Sequence, residues 1–216
     1  MPKPLLIEDH EVLPRCGELA LPKEVMLDIL DKAAGERARV NSNDPVSTSG
    51  NEMRRWLTRY LREDLRLREL GWVLCSHDQL EGIRNDQLRI RLVPMNTDAH
   101  AGNPSKSPTS ISDKGPCAQR VIASNEQRRQ REMFALPEDT DPLANYDFLY
   151  FCCHASDISL SAEISRPSGL KAGFVNSYSE RIILCKPGEK PGLRVPKVVV
   201  EEFAEVEKPS IVRKVD

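Results

Sequence analysis

Apolar residues recur at helical spacing in two segments of the N-terminal half of the chain. The first segment follows Pro22, which suits a first helical turn, and it ends at Gly35. Its apolar positions are Val25, Met26, Ile29, Leu30 and Ala33. The second segment begins at Ser49, which forms a capping box with Glu52, and it ends at Gly71. This spacing predicts two helices.

Short apolar runs, and strict alternation of apolar with polar residues, indicate strands in several places. The runs fall at 72–77, 88–92, 146–153, 158–164, 181–185 and, after a proline, 197–200. Turn-forming residues at 81–86 predict a hairpin between the first two runs, and those at 154–157 predict a tight turn between the next two. A further helix, with few apolar anchors, is predicted over 117–135.

The order of these elements predicts the fold class. Residues 96–116 are poor in bulky apolar side chains and rich in Ser, Thr, Asn, Gly and Pro, so we expect a long flexible loop there. Helices followed by hairpin-like strands indicate an α+β fold, with two or three helices packed on a mainly antiparallel sheet of about five strands. We expect a single domain over 1–216 that ends in an acidic, charged tail over 201–216.

Charge is sorted along the chain although its total is small. The 216 residues include 31 basic and 33 acidic side chains, a net charge of -2, which argues against a surface built wholly for nucleic acid. Residues 1–31 are predominantly acidic, whereas 53–68 hold six arginines against one glutamate and one aspartate. A basic surface in the second helix is therefore expected.

Four arginines of that helix carry the leading functional hypothesis. They are spaced four, three and four residues apart, which places them on one helical face, namely Arg55, Arg59, Arg62 and Arg66. Guanidinium groups bind phosphates and carboxylates with two parallel hydrogen bonds, so this face suits nucleic acid or an acidic protein partner. The alternative is a solvated face paired with acidic segments of the same protein. Asp64 falls on the apolar side of the helix, where we expect an ion pair with Arg68.

Three carboxylates in the C-terminal half suggest a second hypothesis, a divalent-metal-dependent nuclease or phosphodiesterase. Asp147, Asp157 and Glu163 supply oxygen ligands of the kind that Mg²⁺ prefers, although no lysine follows Glu163 where such sites place one. Alternation puts Leu160 and Ile164 on the core face of their strand and Glu163 on the outer face. An ordinary solvent-facing glutamate is the simpler interpretation.

Two pairs of a cysteine and a histidine are candidate zinc ligands. Cys75 with His77, and Cys152 with His154, each share one face of a strand, so adjacent strands would bring four ligands together. Structural zinc sites usually use cysteines two to four residues apart within tight turns, and buried strand cysteines commonly serve packing. We therefore predict no metal site and no cofactor, with Mg²⁺ expected only if the nuclease hypothesis holds.

The remaining features set the location and the class of function. The six cysteines form no CxxC pair, no secretory leader is visible, and no apolar run approaches the roughly 20 residues that cross a bilayer. We expect a cytoplasmic protein without membrane contact. No nucleotide-binding or hydrolase motif occurs. The leading hypothesis is a non-enzymatic binding protein that uses the arginine face, with the nuclease and a structural subunit of an assembly as alternatives.

Overall fold

The computed structural model describes residues 5–45, 47–77, 80–134, 145–156 and 158–189. These residues form five helices and seven strands. The helices are α1 (Asp9–Glu18), α2 (Lys23–Arg37), α3 (Thr48–Glu63), α4 (Leu65–Glu69) and α5 (Pro116–Phe134). The strands are β1 (Leu5–Leu6), β2 (Trp72–His77), β3 (Leu80–Asn85), β4 (Ile90–Asn96), β5 (Asp147–Ala155), β6 (Leu160–Lys171) and β7 (Phe174–Cys185).

The strands form one mixed sheet in the order β1-β7-β6-β5-β4-β3-β2. The pairs β1–β7 and β4–β5 are parallel, and the other four pairs are antiparallel. The prediction of about five strands and two or three helices was therefore wrong, although the fold is α+β overall. The two additional strands are β1, which has only two residues, and β3, whose glycine and polar residues resemble a turn, so neither gave a clear period-two signal in the sequence.

Helices and a loop cover the two faces of the sheet. On one face, α1, α2 and α3 pack against side chains that include Leu92, Phe151, Ile164 and Ile182. On the other face, Ile122 of α5 packs against Phe148, Tyr150 and Cys152 of β5. The central strands are consequently buried on both sides, as parallel pairs usually require.

The N-terminal helix α1 was missed by the sequence analysis. It begins after Glu8, where the Glu11 carboxylate accepts a hydrogen bond from the backbone N–H of Ile7 at 3.3 Å. Only Val12 and Cys16 are buried on its inner side, and a proline lies within it. So few apolar positions give too weak a helical period to detect.

The predicted second helix is two helices. Helix α3 runs from Thr48 to Glu63. The next residue, Asp64, caps α4, because its carboxylate accepts from the backbone N–H groups of Arg66 at 3.0 Å and Leu67 at 3.4 Å. Asp64 also forms an ion pair with Arg66, at 2.6 Å. The expected pair with Arg68 was wrong, because Arg68 donates instead to the backbone carbonyl of Arg62.

The segment predicted as a turn at 81–86 is largely strand β3. Gly82 made it resemble a turn, but this glycine is required by close packing, since a Cβ there would lie 2.0 Å from the backbone oxygen of Leu92. The actual turn follows β3, where Arg89 adopts a positive φ of 53°. Glycine in a strand interior often marks such a close approach.

Residues 97–115 form a loop that packs on the sheet. Thr97, Ala101 and Ser110 are buried, and the Thr97 hydroxyl donates to the backbone oxygen of Cys153 at 3.1 Å. The flexible loop was expected because its composition buries little surface, and these three buried residues do not fit that reasoning. Mobility of the loop stays a prediction. The expected tail over 201–216 and strand over 197–200 lie outside the described residues. No helix in the described ranges is long and apolar enough to cross a membrane.

Candidate anion-binding groove

A groove of about 640 Å³ lies between α3 and the hairpin formed by β2 and β3. Arginines dominate its walls, with two glutamates and one apolar side chain among them. The lining residues are Asn51, Arg54, Arg55, Thr58, Arg59, Arg62, Glu63, Arg68, Leu74 and Glu81. The amphipathic pattern of α3 produces this placement, because burial of Met53, Leu57 and Leu61 turns the basic side of the helix outward.

Two of the predicted binding arginines lie on the exposed side of α3. Arg55 and Arg59 both stand over the ring of Trp56, with their guanidinium carbons 5.1 and 5.0 Å from its centroid. Arg55 also pairs with Glu52 at 3.1 Å, and Arg59 pairs with Glu63 at 2.9 Å. These exposed pairs contribute little to stability and exchange readily for other anions.

The other two predicted arginines have different surroundings. Arg62 reaches under the helix and donates to the backbone carbonyls of Gly82 at 3.1 Å and Cys75 at 2.8 Å, which ties α3 to the hairpin. Arg66 lies on α4, where it pairs with Asp28 at 2.5 Å and lowers the pKa of Asp64 through hydrogen bonding and charge. The predicted stripe is thus divided: Arg55, Arg59 and Arg62 line the groove, and Arg66 does not.

Two arginines outside the predicted stripe complete the groove. The guanidinium of Arg54 has no ion pair among the described residues, and that of Arg68 bonds only to a backbone carbonyl there. Five arginines therefore face two glutamates in the lining. Burial, and then the charge of Arg54, lower the pKa of Lys114, as expected where positive charges lie close together. Both Arg54 and Arg68 belong to the arginine-rich run over 53–68, which predicted a basic surface. They were not predicted as binding residues, because their helical spacing does not place them on the face of the other four arginines.

Strand β2 gives this side of the molecule an open sheet edge. In the part of the chain that the structure describes, β2 pairs with β3 on one side and with no strand on the other. Leu74 of β2 lines the groove with 58% of its surface exposed, and Val73 is also exposed. An exposed edge of this kind is able to accept an extended chain through backbone hydrogen bonds.

The structure separates the carboxylates of the nuclease hypothesis. Glu163 is fully buried and faces the loop over 97–115, where it accepts from the backbone N–H of Gly102 at 2.8 Å and from the Ser165 hydroxyl at 2.6 Å. Asp147 instead pairs with Arg166 at 2.6 Å. The two carboxylates thus belong to different ion pairs, and Asp157 lies outside the described residues. The prediction that Glu163 faces solvent was wrong, because the loop covers this face.

Glu163 and its neighbour Glu180 belong to buried ion pairs. Arg181 holds Glu163 with two hydrogen bonds of 2.8 and 2.5 Å. Glu180 directly precedes Arg181 in β7. Its carboxylate binds Arg15 of α1 at 2.7 Å and Arg166 of β6 at 3.3 Å. Burial raises the pKa of Glu180, but the two arginines outweigh that effect and hold its pKa below the ordinary value. Buried charges that are fully paired in this way serve the fold.

The four candidate zinc ligands do not meet. Cys75 and His77 lie on β2, whereas Cys152 and His154 lie on β5, and two strands separate them in the sheet. Strands are about 4.8 Å apart, so the two pairs are separated by roughly 14 Å. Among the described residues, no three His, Cys, Asp or Glu side chains come together as a metal site. The assumption of adjacent strands was wrong.

Comparison with known proteins adds no functional information. No family model, curated protein or solved structure matches the chain at a significant level.

Proposed function

We propose that the protein is a binding protein whose groove receives an acidic segment of a protein partner. The observation that carries this proposal is the excess of arginine in the groove, where five guanidinium groups face only three carboxylates, those of Glu52, Glu63 and Glu81. Arg54 and Arg68 lack carboxylate partners among the described residues, so an incoming carboxylate need not displace an existing ion pair to bind them.

The mixed chemistry of the lining favours a protein ligand over nucleic acid. A nucleic acid presents a phosphate at every step, and Glu63 and Glu81 would repel it along the groove. Leu74 offers apolar contact that a phosphate backbone cannot use. An extended peptide with alternating acidic and apolar residues matches both features and is also able to pair with the open edge of β2. Nucleic acid remains the competing ligand in the experiment below.

A cytoplasmic location is part of the same proposal. All six cysteines are free thiols, and five of them are buried. Unpaired buried thiols suit a reducing compartment. The proposed function requires no cofactor.

The experiment compares ligands and variants by fluorescence anisotropy. The probes are a peptide of about 12 residues that alternates glutamate with valine, and single-stranded and duplex DNA of similar charge. The double variant R54Q/R68Q removes the two arginines without carboxylate partners. The matched control is R39Q. Arg39 is an exposed arginine just after α2 that pairs with Glu36 and lies outside the groove.

We expect the peptide to bind the wild type more tightly than DNA, with an affinity that falls as salt is added. R54Q/R68Q should bind the peptide at least about tenfold more weakly, since each charge-assisted hydrogen bond contributes roughly 1.5–3 kcal/mol. R39Q should bind like the wild type. Tighter binding of DNA with the same loss in R54Q/R68Q would assign the groove to nucleic acid, and equal affinity in all three proteins would remove the groove from binding altogether.

A further inference from the structure

Arg91 of β4 is a buried cation without a hydrogen-bond partner. The residue is only 1% exposed, and none of its three guanidinium nitrogens has a partner in the described part of the chain. An arginine side chain keeps its positive charge at every physiological pH and offers five N–H donors. Burying such a charge without a partner is strongly unfavourable, so the folded protein needs an anionic group that the described residues do not supply.

The neighbours of Arg91 in the sheet compensate its charge poorly. Strand pairing places Arg91 between Arg84 of β3 and Phe148 of β5, in one row across the sheet. Arg84 carries the same charge, and like charges directly opposite each other in neighbouring strands repel. The guanidinium carbon of Arg91 lies 5.8 Å from the centre of the Phe148 ring. This ring attracts a cation, but its face is only a weak acceptor for N–H groups.

The carboxylates at the ends of the neighbouring strands are bound to other groups. Asp86 follows β3 and accepts from the guanidinium of Arg84 at 2.8 Å. Asp147, the first residue of β5, pairs with Arg166 at 2.6 Å. Neither carboxylate forms a hydrogen bond with Arg91. An anion from solution is therefore the counter-charge that suits this position.

We propose that a small monovalent anion from solution, of the size of chloride or nitrate, binds to the Arg91 guanidinium on the α5 face of the sheet. Two N–H groups of the planar guanidinium bind one anion at once. Phe148, on which Arg91 lies, packs with Ile122 of α5, whereas α3, which carries most of the groove arginines, packs on the opposite face. The inference is therefore independent of the function proposed for the groove.

The burial of Arg91 determines the class of anion. A carboxylate or phosphate on a large molecule cannot reach a guanidinium that the chain covers. One negative charge balances the one buried cation, and the cost of burying an ion rises steeply with its charge. Sulfate and phosphate dianions should therefore be excluded from the site.

A bound anion should stabilise the folded protein. The unfolded chain has no such site, so the anion shifts the folding equilibrium by mass action. Sulfate gives an informative contrast, because its general effect on proteins is to strengthen apolar burial, whereas this site excludes it. The contribution of the site is the part of the anion effect that disappears when the guanidinium is removed.

Thermal unfolding of the full chain tests the site. The melting temperature Tm is measured in sodium chloride, nitrate, sulfate and gluconate at one ionic strength of about 0.2 M, so that general screening stays equal. The variant R91M replaces the guanidinium with an apolar side chain. The matched control is R39M, because Arg39 is an exposed arginine that pairs with Glu36 at 2.7 Å.

We expect the wild type and R39M to have a Tm in chloride and in nitrate at least about 3 °C above that in gluconate. In R91M this difference should fall below about 1 °C. Sulfate should change the Tm of R91M and of the wild type by the same amount relative to gluconate. The same chloride dependence in R91M as in the wild type, or none in the wild type, would overturn the proposal.

Bromide gives a second measurement that decides the question even if R91M fails to fold. It is a close substitute for chloride, and its anomalous X-ray scattering locates it in crystals of the wild type. We expect a bromide ion in contact with the Arg91 guanidinium. Guanidinium nitrogens of Arg91 that bind only water, or a carboxylate of the chain itself, would overturn the proposal.

Discussion

At the β6–β7 end of the sheet, the carboxylate of Glu163 is fully buried and is held by Arg181, whereas at the β2–β3 end Arg54 and Arg68 lack carboxylate partners among the described residues. The difference follows from desolvation. We call the ion pairs of Asp147, Glu163 and Glu180 with Arg15, Arg166 and Arg181 the inner cluster. A buried charge without a partner costs several kcal/mol, so these pairs must be complete in the folded protein itself. An exposed guanidinium is hydrated and carries no such requirement.

The comparison shows how one residue type serves two purposes. Arg15, Arg166 and Arg181 connect α1, β5, β6 and β7 through Asp147, Glu163 and Glu180. In the groove, Arg55, Arg59 and Arg62 pair with carboxylates at or near the surface, whereas Arg54 and Arg68 have no carboxylate partner among the described residues and leave positive charge uncompensated. We therefore assign the inner cluster to stability and the groove to binding, and the predictions below test that division.

The largest expected effect is a loss of stability at the inner cluster. The substitution E163Q leaves the charge of Arg181 buried without its carboxylate, so the free energy of unfolding should fall by about 3–5 kcal/mol. Urea denaturation measures the change. The control is E63Q, because Glu63 pairs with Arg59 in a bridge that is half exposed, and it should cost less than about 1 kcal/mol. Similar losses of stability in both variants would contradict the claim that the buried ion pairs, and not the groove, stabilise the fold.

A smaller effect with a defined pH dependence is expected at Glu180. Its folded-state pKa lies below the ordinary value, so its contribution to stability is complete above that ordinary value and is lost as the pH falls toward the folded-state pKa. The variant E180Q should lose about 1–3 kcal/mol at neutral pH. Between about pH 5 and pH 3 its stability should therefore fall less steeply than that of the wild type. Parallel pH profiles from chemical denaturation would contradict this account of the cluster.

The groove arginines should barely affect folding. The double variant R54Q/R68Q removes two charges that have no carboxylate partner, and glutamine retains a good helix propensity. We expect its free energy of unfolding to fall by no more than about 1 kcal/mol, because the described bonds that are lost are those from the exposed Arg68 guanidinium to the Arg62 carbonyl. Thermal unfolding provides the measurement. A loss of 2 kcal/mol or more, which is on the order expected for a buried ion pair, would show that these arginines stabilise the fold.

The smallest effect concerns thiol reactivity. Burial raises the pKa of Cys153, on β5, to about 12 and that of Cys185, on β7, to about 11. Only the thiolate reacts rapidly with disulfide reagents, so these thiols should stay inert in the folded protein. Cys117 of α5 is partly exposed and should react first. Rapid labelling of Cys153 in a mass-spectrometric time course would show that the sheet opens around β5 and would contradict this expectation.

Local patterning predicted the elements with strong periodicity. Helix α2 has five buried apolar positions at helical spacing, and β5 is a nearly continuous apolar run, so both were anticipated within a few residues. Leu160 and Ile164 are buried as their alternation required. The two-residue β1 and the strand β3, which contains Gly82, lacked such a signal. Their pairing depends on contacts between residues far apart in the chain.

The site was predicted in part for similar reasons. The arginine run indicated a basic surface, but the helical wheel assumed one continuous helix through Asp64, whereas that residue ends α3 and caps α4. Arg66 consequently leaves the groove, and Arg68 joins it. Glu163 was assigned to solvent because alternation reports two faces of a strand but not what covers them. Here a polar loop covers the second face, which composition did not predict.

Hydrogen exchange with and without the acidic peptide tests the division between the two ends most directly. The account predicts slower exchange in α3 and β2 when the peptide is bound, while β6, β7 and the loop over 97–115 keep their exchange rates. Slower exchange confined to β6 and β7, with α3 and β2 unchanged, would contradict the assignment of the groove as the binding surface.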